Sequence, residues 1–426
     1  MARDTNFELR NASIYQIFTR QYSDNGDFKG IIENLGTIRD LGVDYIYLLP
    51  FYPIGIKDRK GDIGSPYAIY DYVKIDESHG TIEDFKLLVN KAHEHGLKVM
   101  IDIVFNHTSR DSVLTVEHPE WFFRKSNGEL ANRVGDWTDI ADLKTDLPEV
   151  QDYLISVLKY WGEIVDGFRC DVASLLPLDF WLKARLEVKK INPNLIWLAE
   201  SVDKGFVKYL RDIGYDALSD SEVFQAFDIA YDYDNFDYLN GLINGNVTLE
   251  MFLKETWKQE AIFPKNYVKL RFLENHDQDR IAYKVQDEVK LKHITALNFF
   301  LRGAMMIYAG QENKNIHKPD LFTIDKVEFI PSNYREFIRR LIEIKKHPIF
   351  AFGSFEYIVH NQVATITYTL KNEKIYGIFN LTNERFTPTD LPDGLYMNLI
   401  NNEIIPIVNH VINLTSEPII ILVNKK

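Results

Sequence analysis

Over most of the chain, short apolar runs that end in polar residues alternate with amphipathic stretches of helical period. Strands buried on both faces read as continuous apolar runs, and a covering helix carries one apolar stripe, so this alternation predicts a parallel sheet wrapped by helices. Eight runs fit the strand role: 14–18, 43–49, 98–105, 167–171, 196–200, 217–220, 268–273 and 305–308. Between them the period predicts helices over 29–41, 81–95, 148–164, 178–190, 249–259 and 290–300. The 81–95 helix has readable ends, with Thr81 and Asp84 placed for a capping box and Gly96 for the stop. Eight strands with interleaved helices point to a closed (β/α)8 TIM barrel, and no Gly-x-Gly-x-x-Gly follows the first run as a dinucleotide-binding fold requires.

Two segments break this rhythm. Residues 108–145 follow the third run, are polar, and carry Trp121, Phe122, Phe123 and Trp137. They are expected to form a short insertion domain on the face where barrel loops build sites. After residue 348 the pattern becomes strict alternation with turn residues, as in 363–369 and 375–380. That change predicts a separate C-terminal antiparallel β-sandwich over 349–426, leaving 1–107 and 146–348 to the barrel.

The chain of 426 residues has room for a barrel of about 250 residues plus an appended module. Its formal charge of -13 argues against a nucleic-acid partner, because binding a phosphate backbone needs a basic face. With 1 cysteine, neither an intrachain disulfide nor a cysteine-rich zinc site is expected. The start, Met1-Ala-Arg-Asp, has no apolar signal-peptide core, and no stretch approaches the roughly 20 apolar residues of a membrane span. A cytoplasmic protein that does not contact membrane is the expectation.

Candidate chemistry sits at four run ends: Asp102 on the third with Asn106 and His107 just after it, Arg169 and Asp171 on the fourth, Glu200 on the fifth, and Asn275, His276 and Asp277 just after the seventh. In a barrel such ends converge on one face. Two-residue periodicity puts Arg169 and Asp171 on one side of their strand and turns Cys170 to the other, as an apolar filler. Retaining glycoside hydrolysis needs an ionised carboxylate to attack the anomeric carbon and a protonated one to release the leaving oxygen, about 5–5.5 Å apart. Asp171 and Glu200, on neighbouring strands, suit those parts. Arg169 is expected to keep Asp171 ionised, and the apolar Trp197-Leu-Ala run with nearby anions to raise the pKa of Glu200.

These four strand-end strings, with Asp166-Gly-Phe-Arg-Cys-Asp171 and Glu274-Asn-His-Asp277 the most specific, resemble the conserved regions of the alpha-amylase family, glycoside hydrolase family 13. The likeness extends to Ile14-Tyr-Gln-Ile-Phe, Ala141-Asp-Leu-Lys and Ile307-Tyr-Ala-Gly-Gln-Glu, and covers almost the whole chain. The resemblance implies Asp171 as nucleophile, Glu200 as acid/base and Asp277 as the carboxylate that grips sugar hydroxyls. It implies Arg169 as the residue orienting Asp171, His107 and His276 as sugar ligands, and Asp102 as a brace of the substrate site. Tyr67 would stack on the sugar, although Ser65-Pro66 replace the His-Gly that usually precede this tyrosine.

Many family members hold calcium with the asparagine matching Asn106, a carboxylate of the insertion and a histidine after the nucleophile. Here Val172-Ala-Ser-Leu follows the nucleophile, so one ligand has no counterpart. Residues 23–27 resemble the family's other calcium loop but are too short to present enough oxygens, and read as a turn. No cofactor or obligatory metal is expected. Tyr52, Trp121, Phe122, Phe123 and Trp137 are further candidates to line the cleft.

The expected activity is retaining hydrolysis of α-glucosidic bonds in maltodextrins and maltooligosaccharides through a covalent glycosyl-enzyme intermediate. A glucanotransferase or disaccharide-isomerising transglycosylase would use the same intermediate, and a non-catalytic carbohydrate-binding protein is the alternative of another class. Linkage preference and oligomeric state are open at this point.

Overall fold

A computed structural model describes residues 4–134 and 137–424. Its barrel strands are β1 (Ser13–Ile17), β2 (Tyr45–Leu48), β3 (Lys98–Ile103), β4 (Gly167–Cys170), β5 (Ile196–Ala199), β6 (Ile229–Tyr231), β7 (Lys269–Arg271) and β8 (Ala304–Tyr308). They close into a barrel in the order β1-β8-β7-β6-β5-β4-β3-β2. Among the described residues no helix is long and apolar enough to cross a membrane.

The sixth strand is not where the apolar pattern put it. Residues 217–220 form loop and the first residue of a short helix, Asp220–Val223, which Ser219 and Glu222 close with a capping box. Ala217 is buried for another reason: it packs with Val134, Leu175, Val207 and Leu210 in a satellite cluster. The strand proper is Ile229-Ala-Tyr231, too short to stand out from the apolar residues before it. Pattern reading also passed over the helices Lys204–Asp212, Tyr233–Ile243 and Tyr334–Lys345. The helix expected from 81 spans Ile82–Glu94, with Thr81 and Asp84 forming the capping box.

By contact density the chain divides into two units, Met1–Asp4 with Ile14–Tyr231 and Lys318–Glu328, and Thr5–Ser13 with Asp232–His317 and Phe329–Lys426. The first holds β1 to β6 and the insertion, whose hairpin pairs His107–Ser109 with Ile140–Asp142 antiparallel. Gly167, which opens β4, sits in a crowded place: a Cβ there would lie 2.9 Å from Met100 Cε and 3.1 Å from the Ile196 carbonyl oxygen. In the second unit, the charged residues of β7 are buried but paired, Lys269 with Asp234 at 2.7 Å and Arg271 with Asp232 at 2.5 Å.

Also in the second unit, a short helix, Ile349–Phe352, precedes two four-stranded antiparallel sheets that begin at Ser354. Residues from both sheets, among them Tyr376, Ile378, Ile405 and Ile412, share one apolar core.

The helix Pro148–Gly162 shows how the first unit's packing supports the strand ends. Trp161 is 0% exposed, packs edge-on against Phe51, Tyr52 and Phe85, and donates its indole N–H to the Tyr72 carbonyl at 2.8 Å. Replacing Trp161 by Ala therefore leaves a large void and an unpaired buried carbonyl. The expected loss is about 3–5 kcal/mol of unfolding free energy in a urea titration, with Trp161→Phe costing less.

Candidate active site

Parallel pairing of β3 with β4 sets Asp102 beside Arg169. The Arg169 Nη1 donates to both Asp102 oxygens, at 2.8 and 3.0 Å, and to Asp171 Oδ1 at 2.9 Å. Arg169 and Asp171 thus share a face, as two-residue periodicity requires, while Cys170 is buried on the other and burial pushes its thiol pKa up. Backbone pairing continues past the strand ends: the Asp171 N–H donates to the Ile103 carbonyl at 2.8 Å, and the Glu200 N–H to the Cys170 carbonyl at 3.0 Å. These bonds hold the backbones of Asp171 and Glu200 at neighbouring strand ends. Their side chains turn to the same guanidinium, for Arg169 Nη2 lies 2.8 Å from Glu200 Oε1.

Around this cluster stand Tyr67, which the resemblance singled out, and Tyr47, Tyr231 and Val172, which the sequence reading did not. Tyr47, in β2, donates its hydroxyl to Asp102 Oδ2 at 2.6 Å, and Tyr67 donates to the same oxygen at 3.0 Å. Arg169 also lies over the rings of Tyr67 and Tyr231, 5.8 and 5.6 Å from their centroids. The signal for Tyr47 was present: a hydroxyl inside an otherwise apolar strand must find a partner. Val172 is less legible. It adopts φ 36° and ψ 45°, a left-handed conformation that a β-branched residue takes at a cost of about 1–3 kcal/mol. The strained turn aims the Val172 N–H at Glu200 Oε2, 2.7 Å away. Both carboxylate oxygens of Glu200 are therefore engaged.

One cation faces three carboxylates here, so the cluster carries two net negative charges when all four groups are ionised. Burial opposes the charge of Arg169, but Asp102 and Glu200 hold its pKa well above the ordinary value. Burial and the charge of Glu200 push Asp171 well up, and the opposing pull of Arg169 does not cancel them. Asp102 is raised by burial against Arg169 and Tyr47. Arg169 favours the ionised form of Asp171, as expected, but one guanidinium divided among three anions does not offset the burial of all of them.

The remaining candidates divide by exposure. Asp102 and Arg169, expected among the substrate contacts, are 0% exposed and touch protein groups, so they act on a ligand through the residues they hold. Tyr67 keeps part of its surface open. The ring of His107 is buried, which lowers its pKa against the pull of Asp142 and Asp139; Asn106 Nδ2 lies 3.2 Å from Nδ1, placing the ring proton on Nε2. In the second unit, His276 is buried and its Nε2 lies 3.1 Å from Asp277 Oδ2, while the Asp277 side chain is 41% exposed.

Tyr52 turns out to be a core residue that donates to the Asp102 backbone carbonyl at 2.9 Å. Trp121 and Phe122 are buried, and Trp121 packs against Tyr153 of the helix Pro148–Gly162. Phe123 and Trp137 are half-buried, the latter 5.7 Å from the His107 ring.

Comparison with known proteins accords with this arrangement. The model of the alpha amylase catalytic domain matches residues 11–137 and 117–336, and that of the bacterial alpha amylase C-terminal domain matches 355–421. An alpha-amylase structure from Lactobacillus plantarum is 42% identical, with a TM-score of 0.96 over 98% of this chain and 100% of that one. A maltogenic alpha-amylase from Thermotoga neapolitana is 32% identical, with a TM-score of 0.87 over 98% and 100%. A curated maltogenic alpha-amylase from Bacillus acidopullulyticus is 26% identical over 82% of this chain, which spans 61% of that relative's length. Of the alpha-amylase MalA from Haloarcula japonica it spans 43%. On these matches, the chain belongs to the alpha-amylase family, glycoside hydrolase family 13, and joins that family's catalytic barrel to its C-terminal domain.

Proposed function

We propose that this chain is a retaining glycosidase that hydrolyses α-glucosidic bonds of maltooligosaccharides through a covalent glycosyl-enzyme intermediate. The observation that carries the reading is Arg169 touching Asp171 and Glu200 together, which sets a nucleophile and an acid on one small patch of adjacent strand ends.

In the first step Glu200 gives its proton to the glycosidic oxygen as Asp171 attacks the anomeric carbon. The bond to the leaving sugar breaks and an ester to Asp171 forms. In the second, Glu200 takes a proton from water, the hydroxyl attacks the same carbon, and Asp171 leaves as carboxylate with the original anomeric configuration restored. Tyr67 offers the sugar a ring face braced by Asp102. For His107, His276 and Asp277, sugar-binding roles rest on the likeness of their motifs to the family's.

Incubation with one pure maltooligosaccharide tests the activity. New reducing ends, first as the α-anomer by proton NMR, are expected; chain lengths redistributed without new reducing ends would mean transfer to sugar instead. Glu200→Gln is expected to lower kcat by about 10²–10⁴-fold, and Asp171→Asn at least as much. Full activity in both variants would refute the assignment.

The raised pKa of Asp171 has two further consequences. The nucleophile must be ionised, so kcat/KM is expected to fall on the acid side at a pH above the ordinary carboxylate value of about 3.9, measurable as a pH-rate profile. For stability, a folded-state pKa above the unfolded one favours the fold at low pH, and that contribution is lost as pH rises through the folded value. Asp171→Asn removes the buried charge. It is expected to melt about 2–4 °C above wild type at neutral pH, with the difference closing below pH about 4.

A further inference from the structure

Asn106, just past β3, and Asp142, in the second strand of the insertion hairpin, converge on one guanidinium. Arg133 Nη2 donates to Asn106 Oδ1 at 3.0 Å. The Arg133 Nε and backbone N–H donate to Asp142 Oδ2 at 3.0 and 2.8 Å. Asn106 Nδ2 reaches the other Asp142 oxygen at 3.4 Å. Both acceptor side chains are buried, and the guanidinium sits over Phe123 and Tyr215, 4.5 and 5.8 Å from their centroids.

In relatives that bind calcium, the asparagine matching Asn106 and a carboxylate of the insertion are ligands. A hard cation needs six to eight oxygens at about 2.3–2.6 Å. The donor set here does not fit one: Asn106 Oδ1 and Asp142 Oδ2 are committed to Arg133, and the segment after Asp171 carries Val172-Ala-Ser-Leu in place of a histidine, with Leu175 buried in an apolar cluster. An arginine satisfies the same acceptors. Its planar fork meets two of them at once, rings cover its faces, and a guanidinium keeps its charge. Residues 23–27 follow a similar plan. Asp27 Oδ1 accepts from the Gly30 N–H and caps the helix Phe28–Asp40, and the Lys326 Nζ donates to the Arg20 carbonyl at 2.7 Å.

We propose that Arg133 is a built-in cation taking the place of a divalent ion at the junction of insertion and barrel, and that it positions His107 by way of Asn106. Since Asn106 Nδ2 also lies 3.2 Å from His107 Nδ1, fixing the amide with Arg133 fixes the histidine's tautomer and tilt. The junction then holds at any calcium concentration.

The test uses the intact chain, treated with a chelator and then compared in chelator and in millimolar calcium. Wild type is expected to melt at the same temperature in both, and to show the same kcat and KM on a maltooligosaccharide. Arg133→Met is expected to melt about 3–6 °C lower in both buffers and to raise KM several-fold. Arg133→Lys, which keeps the charge but loses the fork, should lie between. A wild type that loses melting temperature on chelation, or gains it with calcium, overturns the proposal, as does an Arg133→Met protein that melts and turns over like wild type. Melting is read independently of turnover, so failure of the proposed activity and failure of this inference are distinguishable.

Discussion

A fully buried guanidinium must be surrounded by acceptors, and Arg169 has carboxylates of three residues within 3.0 Å. Removing the guanidinium would cost about 3–5 kcal/mol, because three buried carboxylates would be left without compensation. That penalty makes the arrangement cooperative. Asp102 orients Arg169, Arg169 orients Asp171 and Glu200, and none can turn away without stranding the others. Lysine could not substitute: a point charge on a flexible stem cannot serve carboxylates on two sides of a plane.

The surrounding structure supplies what this cluster lacks. Tyr47 and Tyr67 satisfy the Asp102 oxygen that Arg169 holds less closely, and Tyr52 fixes its backbone. Tyr52 is itself held edge-on by Trp161 in an apolar layer with Phe51. Beyond the strand ends, the left-handed Val172 trades backbone strain for a hydrogen bond to Glu200. Local cost at the site is thus carried by packing elsewhere. Arg133 extends the same logic to the insertion, binding polar side chains with a charge drawn from the chain.

What could be read along the chain was whatever repeats at short range. Continuous apolar runs marked seven of the eight barrel strands, and the capping box at Thr81 marked a helix start, because both depend on neighbours a few residues away. The sixth strand failed that reading: Ala217 is buried by a satellite cluster, and Ile229–Tyr231 is too short for periodicity to register. Polar strand ends pointed to Asp102, Arg169, Asp171, Glu200 and Asp277, since charged residues straight after a buried run call for a reason.

Strand order and side-chain parity, and hence which residues could meet, were therefore determined by the sequence alone. How charge is shared was decided only in three dimensions. The division of Arg169 among three carboxylates, the upward shift of Asp171, the turn at Val172 and the grip of Arg133 on Asn106 and Asp142 all depend on distances between residues remote in the chain. Electrostatic interaction is set by separation and burial, and neither quantity is written in the order of the amino acids.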